Sequence, residues 1–317
     1  MVKPTKSPNM ISTTGRSPVM AAPTAGYYNE KPLATPATRK LARDTNVDIR
    51  EVVGTGPAGR VTSDDVRAHA GSPAAARAPA ADTSGDTRIP FRGVRRKIAE
   101  NLVHSKHTAA HYTYVEEIDC TDLVALRERA NAALAAKGVK LSFLPFIVKA
   151  TAQALIKFPQ LNSTLDDAAG EIIQRAHRHI GLATATEAGL IVPVVRDADR
   201  LSVVQLAAEI DRLAALTRAG KAAREDLSGS TFTVTSLGAL GGLMATPIIN
   251  HPEVAILGVH KITRRPAVKD DKIVIRDLMN LSISVDHRVT DGYDAARFIA
   301  EIKATLETPG PLYPEAS

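Results

Sequence analysis

Two side chains near the carboxyl end of the sequence have the types and the spacing of an acid–base pair. His287 and Asp291 lie within residues 281–298, LSISVDHRVTDGYDAARF. Apolar and polar residues alternate over residues 281–285, which is the period of a half-buried strand, so we expect His287 on the inward face. Because burial disfavours the charged imidazolium, an inward His287 would be neutral at pH 7 and able to accept a proton.

The elements around these two residues place them at a junction. After Tyr293 the apolar residues recur at helical spacing, so Asp291 lies in the turn between a strand and a helix. A base at the end of a strand, with an acid one turn later, favours a catalytic site. The residues alone leave a structural alternative open, in which Asp291 caps the helix and His287 is a hydrogen-bonded core histidine.

The string around His287 is similar to the H-x-x-x-D-G signature that chloramphenicol acetyltransferases share with the acyltransferase cores of 2-oxo acid dehydrogenase complexes. Further blocks resemble the dihydrolipoamide acyltransferase family, in the family's order: FRGVRRKIAENL near residue 91, KLSFLPFIVKA near 140, GLIVPVV near 189, STFTVTSLGALGG near 230 and ATPIINHPEVAILGVHKI near 245. The resemblance implies an α/β fold for residues 89–317, a chloramphenicol acetyltransferase-like mixed α/β sandwich that forms homotrimers. It also implies that the trimers assemble into a larger shell.

The resemblance assigns two chemical roles, that of a base and that of an oxyanion donor. His287 would take the proton from the thiol of coenzyme A or dihydrolipoamide and return it to the departing thiol. A hydroxyl in TFTVTS would stabilise the oxyanion that forms when the thioester carbonyl is attacked. Thr235 matches the family residue, where many relatives have serine, and Ser236 is the alternative. Strand alternation sends these two side chains to opposite faces, so only one can serve.

The same resemblance gives three residues an orienting or lining role. Asp291 resembles the family residue that pairs with an arginine and fixes the geometry of the active site. Arg96, in VRRKIAENL, matches that arginine best, and its role would be orientation rather than proton transfer. His111 lies where the family often has a histidine near the substrate channel.

Residues 33–70 have the pattern of a small helical unit of their own. Thr35 is expected to cap a helix that begins at Pro36. Thr62, with Asp65 three residues later, resembles a capping box and predicts a second short helix. Two helices would therefore bracket a glycine-rich loop.

The glycine-rich loop at residues 54–59 formally satisfies the G-x-G-x-x-G pattern of dinucleotide sites. Such a site needs a buried strand before the loop and a long helix after it, and the sequence indicates neither. The unit instead resembles the peripheral subunit-binding domain of the same complexes. By that resemblance Arg39, Arg43 and Arg60 form a basic face that docks the 2-oxo acid decarboxylase or the dihydrolipoamide dehydrogenase component. The alternative is a merely solvated basic surface.

Two segments have the composition of linkers. Residues 1–32 contain proline, serine and threonine, which favours a flexible linker over a transit peptide. Residues 71–88 are an alanine and proline linker without a periodic apolar face. Family chains usually begin with lipoyl domains. We expect none in this chain, so the lipoyl group would be supplied by a domain not present in it.

Composition narrows the classes of partner. The net charge of +6 and the pI near 9.4 are compatible with nucleic acid, but aromatic residues are only 4% and tryptophan is absent. We therefore expect no nucleic-acid binding, and assign the charge to acidic protein partners and a phosphate-bearing ligand. No apolar run approaches the roughly 18 residues of a membrane span, so no membrane segment is expected. The single cysteine, Cys120, suits a reducing compartment, with the bacterial cytoplasm favoured and the mitochondrial matrix as the alternative.

Three histidines resemble a metal site at first sight. His104, His107 and His111 would share one face of a continuous helix, as zinc ligands can. However, residues 108–114 are rich in threonine and tyrosine, which favour an extended chain. We therefore expect these histidines to be separated and predict no metal site.

The function that follows from the residues and the resemblance is acyl transfer between a dihydrolipoyl thiol and coenzyme A, in the multimeric core of a 2-oxo acid dehydrogenase complex. Coenzyme A would be a substrate, and the pyruvate and branched-chain types are favoured. One alternative is a succinyl-transferring member. Another is a scaffold that binds the other components of the complex without catalysing.

Overall fold

The computed structural model describes residues 27–71 and 85–314. The chain divides into two compact units, with the boundary between Arg88 and Ile89. Most of the two predicted linkers, at 1–32 and 71–88, lies outside the described residues. Within the described part of the chain, no helix is long and apolar enough to cross a membrane.

The small unit contains helices α1 (Pro36–Asp44) and α2 (Ser63–Gly71). The Thr35 hydroxyl accepts a hydrogen bond from the Thr38 N–H, so the predicted cap of α1 is confirmed. Thr62 and Asp65 bond each other's backbone N–H groups at 2.8 and 3.3 Å, which is the reciprocal pattern of a capping box. Both helices therefore begin where the sequence predicts.

The glycine-rich loop of the small unit packs against its own chain. A Cβ atom at Gly54 would lie 2.3 Å from the carbonyl oxygen of Gly59, so only glycine fits there. The Asp65 carboxylate also accepts hydrogen bonds from the backbone N–H and the hydroxyl of Thr55. These contacts explain the glycines by close packing, and from residue 27, where the described part of the chain begins, no strand precedes the loop as a dinucleotide site requires.

The large unit alternates helices and strands. Its helices are α3 (Val94–Thr108), α4 (Thr121–Leu134), α5 (Leu144–Lys157), α6 (Val203–Arg218) and α7 (Gly292–Glu307). Its strands are β1 (His111–Asp119), β2 (Ser163–Asp166), β3 (Glu171–Gln174), β4 (Ile180–Thr186), β5 (Gly189–Ile191), β6 (Val194–Val195), β7 (Phe232–Ser236), β8 (Ala255–Val259), β9 (Thr263–Lys269) and β10 (Lys272–Asp286).

The main sheet has the strand order β1-β10-β8-β7-β4-β5, with β6 paired to β4 and β9 paired to β10. Strands β4, β7 and β8 run parallel, whereas β10 pairs antiparallel with β1, β8 and β9. Strands β2 and β3 form a separate hairpin. The sheet is therefore mixed, as the predicted α/β class requires.

One aromatic cluster fixes helix α7 against the sheet. The ring of Phe298 on α7 lies 5.7 Å from that of Phe232 on β7 and 5.8 Å from that of Phe158, and Phe232 and Phe298 are fully buried. Truncation of a buried phenylalanine to alanine typically costs about 3–5 kcal/mol. This packing joins α7 to β7, the strand that carries Thr235.

The sequence also predicts three local features of the large unit: a hairpin turn at Asp270 and Asp271, a helix cap of Ser202 with Gln205, and a strand at 190–195. Asp270 and Asp271 turn the β9–β10 hairpin with left-handed backbone angles, φ 50° and 57°. Ser202 and Gln205 form the capping box of α6. The predicted strand at 190–195 is interrupted at Pro193, so that it becomes the two short strands β5 and β6.

Candidate functional site

Thr235 lies near the end of β7 on the wall of a cavity of about 1050 Å³. Its backbone is held on both sides, by Ala183 on β4 and Gly258 on β8. Thr231 and Thr233 line the same cavity, because alternate residues of a strand share a face. The hydroxyl of Ser236 instead accepts a hydrogen bond from the N–H of Gly238 at 3.2 Å. Of the two neighbouring hydroxyls, that of Thr235 is the one on the cavity side.

The cavity combines apolar walls with a polar strip. The apolar part includes Ile98, Leu102, Ile173, Leu190 and Ile256, and the polar strip includes Ser230, Thr231, Thr233, Thr235, Asn250 and Glu253. Apolar lining with a few convergent polar groups is typical of small-molecule sites. Its volume is at the upper end of the usual range, which suits an extended ligand.

Glu253 is a buried carboxyl on this wall that none of the sequence motifs predicts. It is 3% exposed, and it accepts hydrogen bonds from the hydroxyls of Ser230 and Thr233 at 2.5 and 2.6 Å and from the amide of Asn250 at 3.0 Å. Burial raises the pKa of Glu253 to about 7, and the three hydrogen bonds oppose that rise. The signal available in the sequence was an acid inside an otherwise apolar block, HPEVAILGV.

His287 is exposed in the single chain, so the expectation that it points inward is wrong. Strand β10 ends at Asp286, and strand alternation therefore stops one residue before the histidine. The His287 N–H donates to the carbonyl oxygen of Ala110 at 2.9 Å, and its ring meets the ring of Tyr112 edge to face at 5.4 Å. The backbone is fixed while the imidazole edge stays open.

An ion pair between the buried Asp286 and the exposed Arg288 lies next to His287 at the end of the strand. The Asp286 carboxylate accepts hydrogen bonds from Arg288 Nε and Nη2 at 3.0 and 2.7 Å, and from the N–H of Ala110 at 3.2 Å. Arg288 also bonds Asp167 at 2.8 Å. Although burial raises it, the bonds from Arg288 and Ala110 hold the pKa of Asp286 below its ordinary value. This pair gives the loop that carries His287 a defined position.

Asp291 and Arg96 do not meet within one chain. Asp291 is the N-cap of α7, where its carboxylate accepts the N–H of Asp294 at 2.9 Å. Arg96 on α3 forms an exposed ion pair with Glu100 at 3.0 Å. The capping role that the sequence left open for Asp291 is therefore present, and its pairing with Arg96 stays a prediction.

His111 is used at both ring nitrogens. Its Nε2 accepts the N–H of Ile249 at 3.1 Å, and its Nδ1 lies 3.0 Å from the carbonyl oxygen of Ala109, which indicates the neutral ring with the proton on Nδ1. His104 and His107 lie on α3, whereas His111 begins β1, so the three histidines are separated as predicted.

A different cluster brings potential metal ligands together among the described residues. One ligand atom each of His177, His179 and Asp197 lies within 4.8 Å of the others. The Asp197 carboxylate bonds His177 Nδ1 at 2.8 Å, and the Asp197 N–H donates to His179 Nδ1 at 3.0 Å. Burial and the nearby Arg196 lower the pKa of His179, although Asp197 opposes this. These bonds already occupy the ring nitrogens of His177 and His179 that face Asp197. The cluster is therefore a structural brace that joins the residues before β4 to the turn after β6.

The three arginines of the predicted docking face, Arg39, Arg43 and Arg60, are exposed on the small unit. Arg39 Nη2 donates to the carbonyl oxygen of Pro32 at 2.6 Å, and Arg43 lies in the last turn of α1. None of these three forms an ion pair with another described residue in the structure.

The strand register separates the two predicted catalytic residues. Thr235 pairs with Gly258, and Gly258 pairs with Ser282 on β10. His287 lies five residues beyond Ser282, past Asp286, which at about 3.3 Å per residue is roughly 16 Å along the sheet. A base must come within about 3 Å of the proton that it takes. The two residues of one chain therefore cannot act on the same thioester.

Comparison with known families covers nearly all of the large unit and the middle part of the small unit. Residues 83–313 match the family of 2-oxoacid dehydrogenases acyltransferase (catalytic domain), and residues 32–67 match the e3 binding domain. The chain is 48% identical over 290 residues to the lipoamide acyltransferase component of the branched-chain alpha-keto acid dehydrogenase complex of Pseudomonas putida. That match covers 90% of this chain and 69% of the relative.

Other relatives belong to pyruvate dehydrogenase complexes. The chain is 42% identical over 307 residues to the dihydrolipoyllysine-residue acetyltransferase component of Bacillus subtilis (strain 168), a match that covers 91% of this chain and 69% of the relative. Among solved structures, Azotobacter vinelandii dihydrolipoamide acetyltransferase is 38% identical with a TM-score of 0.69, over 71% of this chain and 93% of that one. The cubic core of a pyruvate dehydrogenase multienzyme complex is also 38% identical with a TM-score of 0.69, over 74% and 98%.

These matches confirm the predicted fold of the catalytic unit and the predicted enzyme class. The architecture is that of the catalytic cores of dihydrolipoamide acetyltransferases, preceded by a subunit-binding unit. The function of the chain is acyl transfer in a 2-oxo acid dehydrogenase complex. The chain belongs to the family of 2-oxoacid dehydrogenase acyltransferases.

Proposed function

We propose that this chain transfers an acyl group between the thiol of a dihydrolipoyl group and the thiol of coenzyme A, with His287 as the base and Thr235 as the oxyanion donor. The observation that carries the proposal is a match of spacing around a shared histidine. A crystallographic and enzymatic study of the Azotobacter vinelandii enzyme addresses the roles of a serine, a histidine and an asparagine in its catalytic mechanism, 52 and 4 positions apart. Thr235, His287 and Asp291 are separated by the same intervals.

Two of the three residue types differ from that relative, in ways that the chemistry allows. Thr235 replaces a serine and keeps the hydroxyl, which is the group that donates to an oxyanion. Asp291 replaces an asparagine and still caps α7 through a side-chain oxygen. The histidine is unchanged.

The reaction needs one proton to move and no covalent bond to the protein. His287 takes the proton of the attacking thiol, whose sulfur bonds to the thioester carbonyl carbon. The carbonyl oxygen gains the negative charge and accepts a hydrogen bond from the Thr235 hydroxyl. The bond to the departing sulfur then breaks, and His287 returns the proton to that sulfur. A free thiol has a pKa of about 8.5, so the base has a modest task near neutral pH.

Because Thr235 and His287 of one chain lie roughly 16 Å apart along the sheet, a complete site needs two chains. We propose that the exposed His287 of one subunit faces the Thr235 cavity of its neighbour in a homotrimer, which gives three composite sites per trimer. The pairing of Arg96 with Asp291 would form when this interface closes. The similarity to a cubic core supports assembly of trimers into a larger shell.

For the acyl group, we propose the branched-chain type. The identity of 48% to the Pseudomonas putida branched-chain component exceeds the 42% to the Bacillus subtilis acetyltransferase. The experiment is a set of steady-state rates with free dihydrolipoamide and acetyl-, isobutyryl- or succinyl-coenzyme A. We expect the highest kcat/KM with isobutyryl-coenzyme A. A higher value with acetyl-coenzyme A would assign the chain to a pyruvate complex, and no rate with any of the three would contradict acyl transfer itself.

The exposed arginines of the small unit are proposed to bind dihydrolipoamide dehydrogenase, as the name of the matched e3 binding domain suggests, or the decarboxylase component. Charge reversal by Arg43→Glu should then weaken binding, and the wild-type affinity should fall with salt, because exposed charges are screened within about 8–10 Å. Arg67→Glu, on α2, is the matched control. Equal binding by both variants, or binding insensitive to salt, would point to an apolar interface.

A further inference from the structure

The Glu253 carboxyl makes three hydrogen bonds on the cavity wall, and all of its partners donate to it. The hydroxyls of Ser230 and Thr233 donate to separate oxygens at 2.5 and 2.6 Å, and the Asn250 amide donates at 3.0 Å. The same amide lies 3.2 Å from the Thr233 hydroxyl. In this arrangement the hydrogens of both hydroxyls are committed to the carboxylate and are not available to a ligand.

A carboxylate at this position has no cation to balance it. Among the described residues, none of the ion pairs involves Glu253, although the side chain is buried. Burial of an unpaired charge is costly, and the usual response is for the group to take up a proton. Burial accordingly raises the pKa of Glu253 to about 7, so both protonation states are populated near neutral pH.

The wall that Glu253 organises is continuous with the predicted oxyanion donor. Thr233 and Thr235 are two positions apart on β7 and line the same cavity, about 7 Å apart along the strand. An ionised Glu253 would place a negative charge near the oxygen on which negative charge develops in the reaction. Like charges repel, so the neutral acid is the form compatible with the oxyanion.

We propose that Glu253 is a positioning residue that controls, through its own proton, which hydroxyl hydrogens the cavity offers to the substrate. A protonated carboxyl donates its hydrogen to Ser230 or Thr233, and the hydroxyl that accepts it is released to donate into the cavity. Loss of that proton withdraws the donor and adds a negative charge. This inference rests on the proposed acyl transfer and adds a second proton, distinct from the one that His287 moves.

Among the described residues, no titratable side chain hydrogen-bonds Glu253. The segment around β7 faces it with Ser230 and Thr233, its own loop with Asn250, and β2 through a backbone bridge from Thr164, none of which titrates near neutral pH. The charged or titratable side chains elsewhere on the cavity wall are Arg175, His177, His179 and His251.

The test compares pH profiles of kcat for the wild type and Glu253→Gln, whose amide is neutral at every pH. If Glu253 must be protonated, the ratio of the wild-type kcat to that of Glu253→Gln should fall on the order of tenfold between pH 6 and 8.5, because a group with a pKa near 7 loses its proton in that interval. The substrate thiol and all other side chains are the same in both proteins, so their effects cancel in the ratio. A constant ratio would overturn the proposal and leave Glu253 with a purely structural role.

Two further measurements keep the test decisive. Glu116→Gln is the control, because Glu116 on β1 also accepts a hydroxyl hydrogen bond, from Tyr114 at 2.7 Å, but does not line the cavity. Its ratio to the wild type should not change with pH. If Glu253→Gln does not fold, infrared spectra can be recorded for the folded wild type and Ser230→Ala. Both should show a protonated carboxyl band that disappears between pH 6 and 8.5. The band should disappear at a higher pH in Ser230→Ala, because this variant lacks one hydrogen-bond donor to the carboxylate. No such band in either protein would equally overturn the proposal.

The outcome also separates this inference from the proposed function. His287→Ala, assayed in parallel, tests acyl transfer by the predicted base. If His287→Ala is inactive while the Glu253→Gln ratio is flat, the function stands and the role of Glu253 fails. If His287→Ala is fully active, the proposed function fails whatever the profile of Glu253→Gln.

Discussion

The two ends of the central sheet differ in how completely they are built. At the end of β7, Thr235 lies in a cavity whose wall is fixed by buried hydrogen bonds to Glu253. At the end of β10, His287 is exposed, and only its backbone and the neighbouring Asp286–Arg288 pair are fixed. One end holds the proposed oxyanion donor, Thr235, in a cavity, and the other presents the proposed base, His287, on an exposed loop.

This difference explains why a single chain looks incomplete. The strand register puts the two ends roughly 16 Å apart along the sheet, further than any side chain rearrangement can span. The positions become useful when a second copy brings its His287 to the mouth of the Thr235 cavity. A substitution at Thr235 or at His287 should therefore alter one end of the sheet and leave the other end intact.

The largest effect is expected at the exposed end. His287→Ala should lower kcat by on the order of a hundredfold to ten-thousandfold, because general base catalysis is removed, while assembly is retained. The measurement is kcat with saturating dihydrolipoamide and acyl-coenzyme A, together with the mass of the assembly. His69→Ala, on the small unit, is the control and should match the wild type. A His287→Ala rate within threefold of the wild type would end its role as the base.

At the cavity end, the hydroxyl rather than the residue type should matter. Thr235→Ala should lose on the order of a hundredfold in kcat, the usual cost of removing one oxyanion donor, and Thr235→Ser should lose much less. Ser236→Ala should be mild, because the Ser236 hydroxyl bonds the backbone of Gly238 on the other side of the strand. A severe Ser236→Ala with a mild Thr235→Ala would show that the neighbouring hydroxyl is the donor.

A stability measurement sharpens the contrast by probing the buried cavity wall alone. The pKa of Glu253 is raised from 4.5 to about 7, so the folded state holds this proton more tightly than the unfolded state. The free energy of unfolding should therefore fall by about 3 kcal/mol in total as the pH rises from 4.5 to 7. Glu253→Gln lacks this dependence. Its unfolding free energy relative to the wild type should therefore rise by about 2–3 kcal/mol from pH 5 to pH 8 in urea titrations.

The control for that measurement has the opposite sign of shift. Hydrogen bonds from Lys303 and Tyr114 lower the pKa of Glu116, so this group is ionised in both the folded and the unfolded chain from pH 5 to pH 8. The difference between Glu116→Gln and the wild type should then stay constant over that range. Parallel curves for Glu253→Gln as well would mean that its carboxyl is not buried as the structure has it.

Local sequence signals predicted the elements that depend on neighbouring residues. Three of these elements form as expected: the Thr35 cap, the Thr62–Asp65 capping box and the turn at Asp270 and Asp271. Each depends on contacts between residues only a few positions apart. The fold class followed from motifs spread along the chain and is confirmed by the relatives. For Asp291 the sequence permits both a helix cap and a catalytic role, and the cap is present in the single chain.

What the sequence did not reveal depends on contacts between distant segments. Ser230 and Glu253 are 23 positions apart, and the Asp197 brace reaches back 20 positions to His177, so no short pattern reports either. The alternation over residues 281–285 predicts an inward His287, but the period of a strand does not show where the strand ends. That end is set by Asp286, whose carboxylate bonds Arg288 and the backbone of Ala110, 176 positions away.

The central claim, that the two ends of the sheet meet between chains, is tested most directly by complementation. His287→Ala and Thr235→Ala chains are unfolded, mixed and refolded together, and mixed trimers are confirmed by native mass spectrometry. Some interfaces then join an intact His287 to an intact Thr235. The account predicts recovery of an appreciable share of wild-type activity, dependent on the mixing ratio, from two parents that are nearly inactive alone. Confirmed mixed trimers with no activity above that of the parents would contradict it, and would place both residues in the site of one subunit.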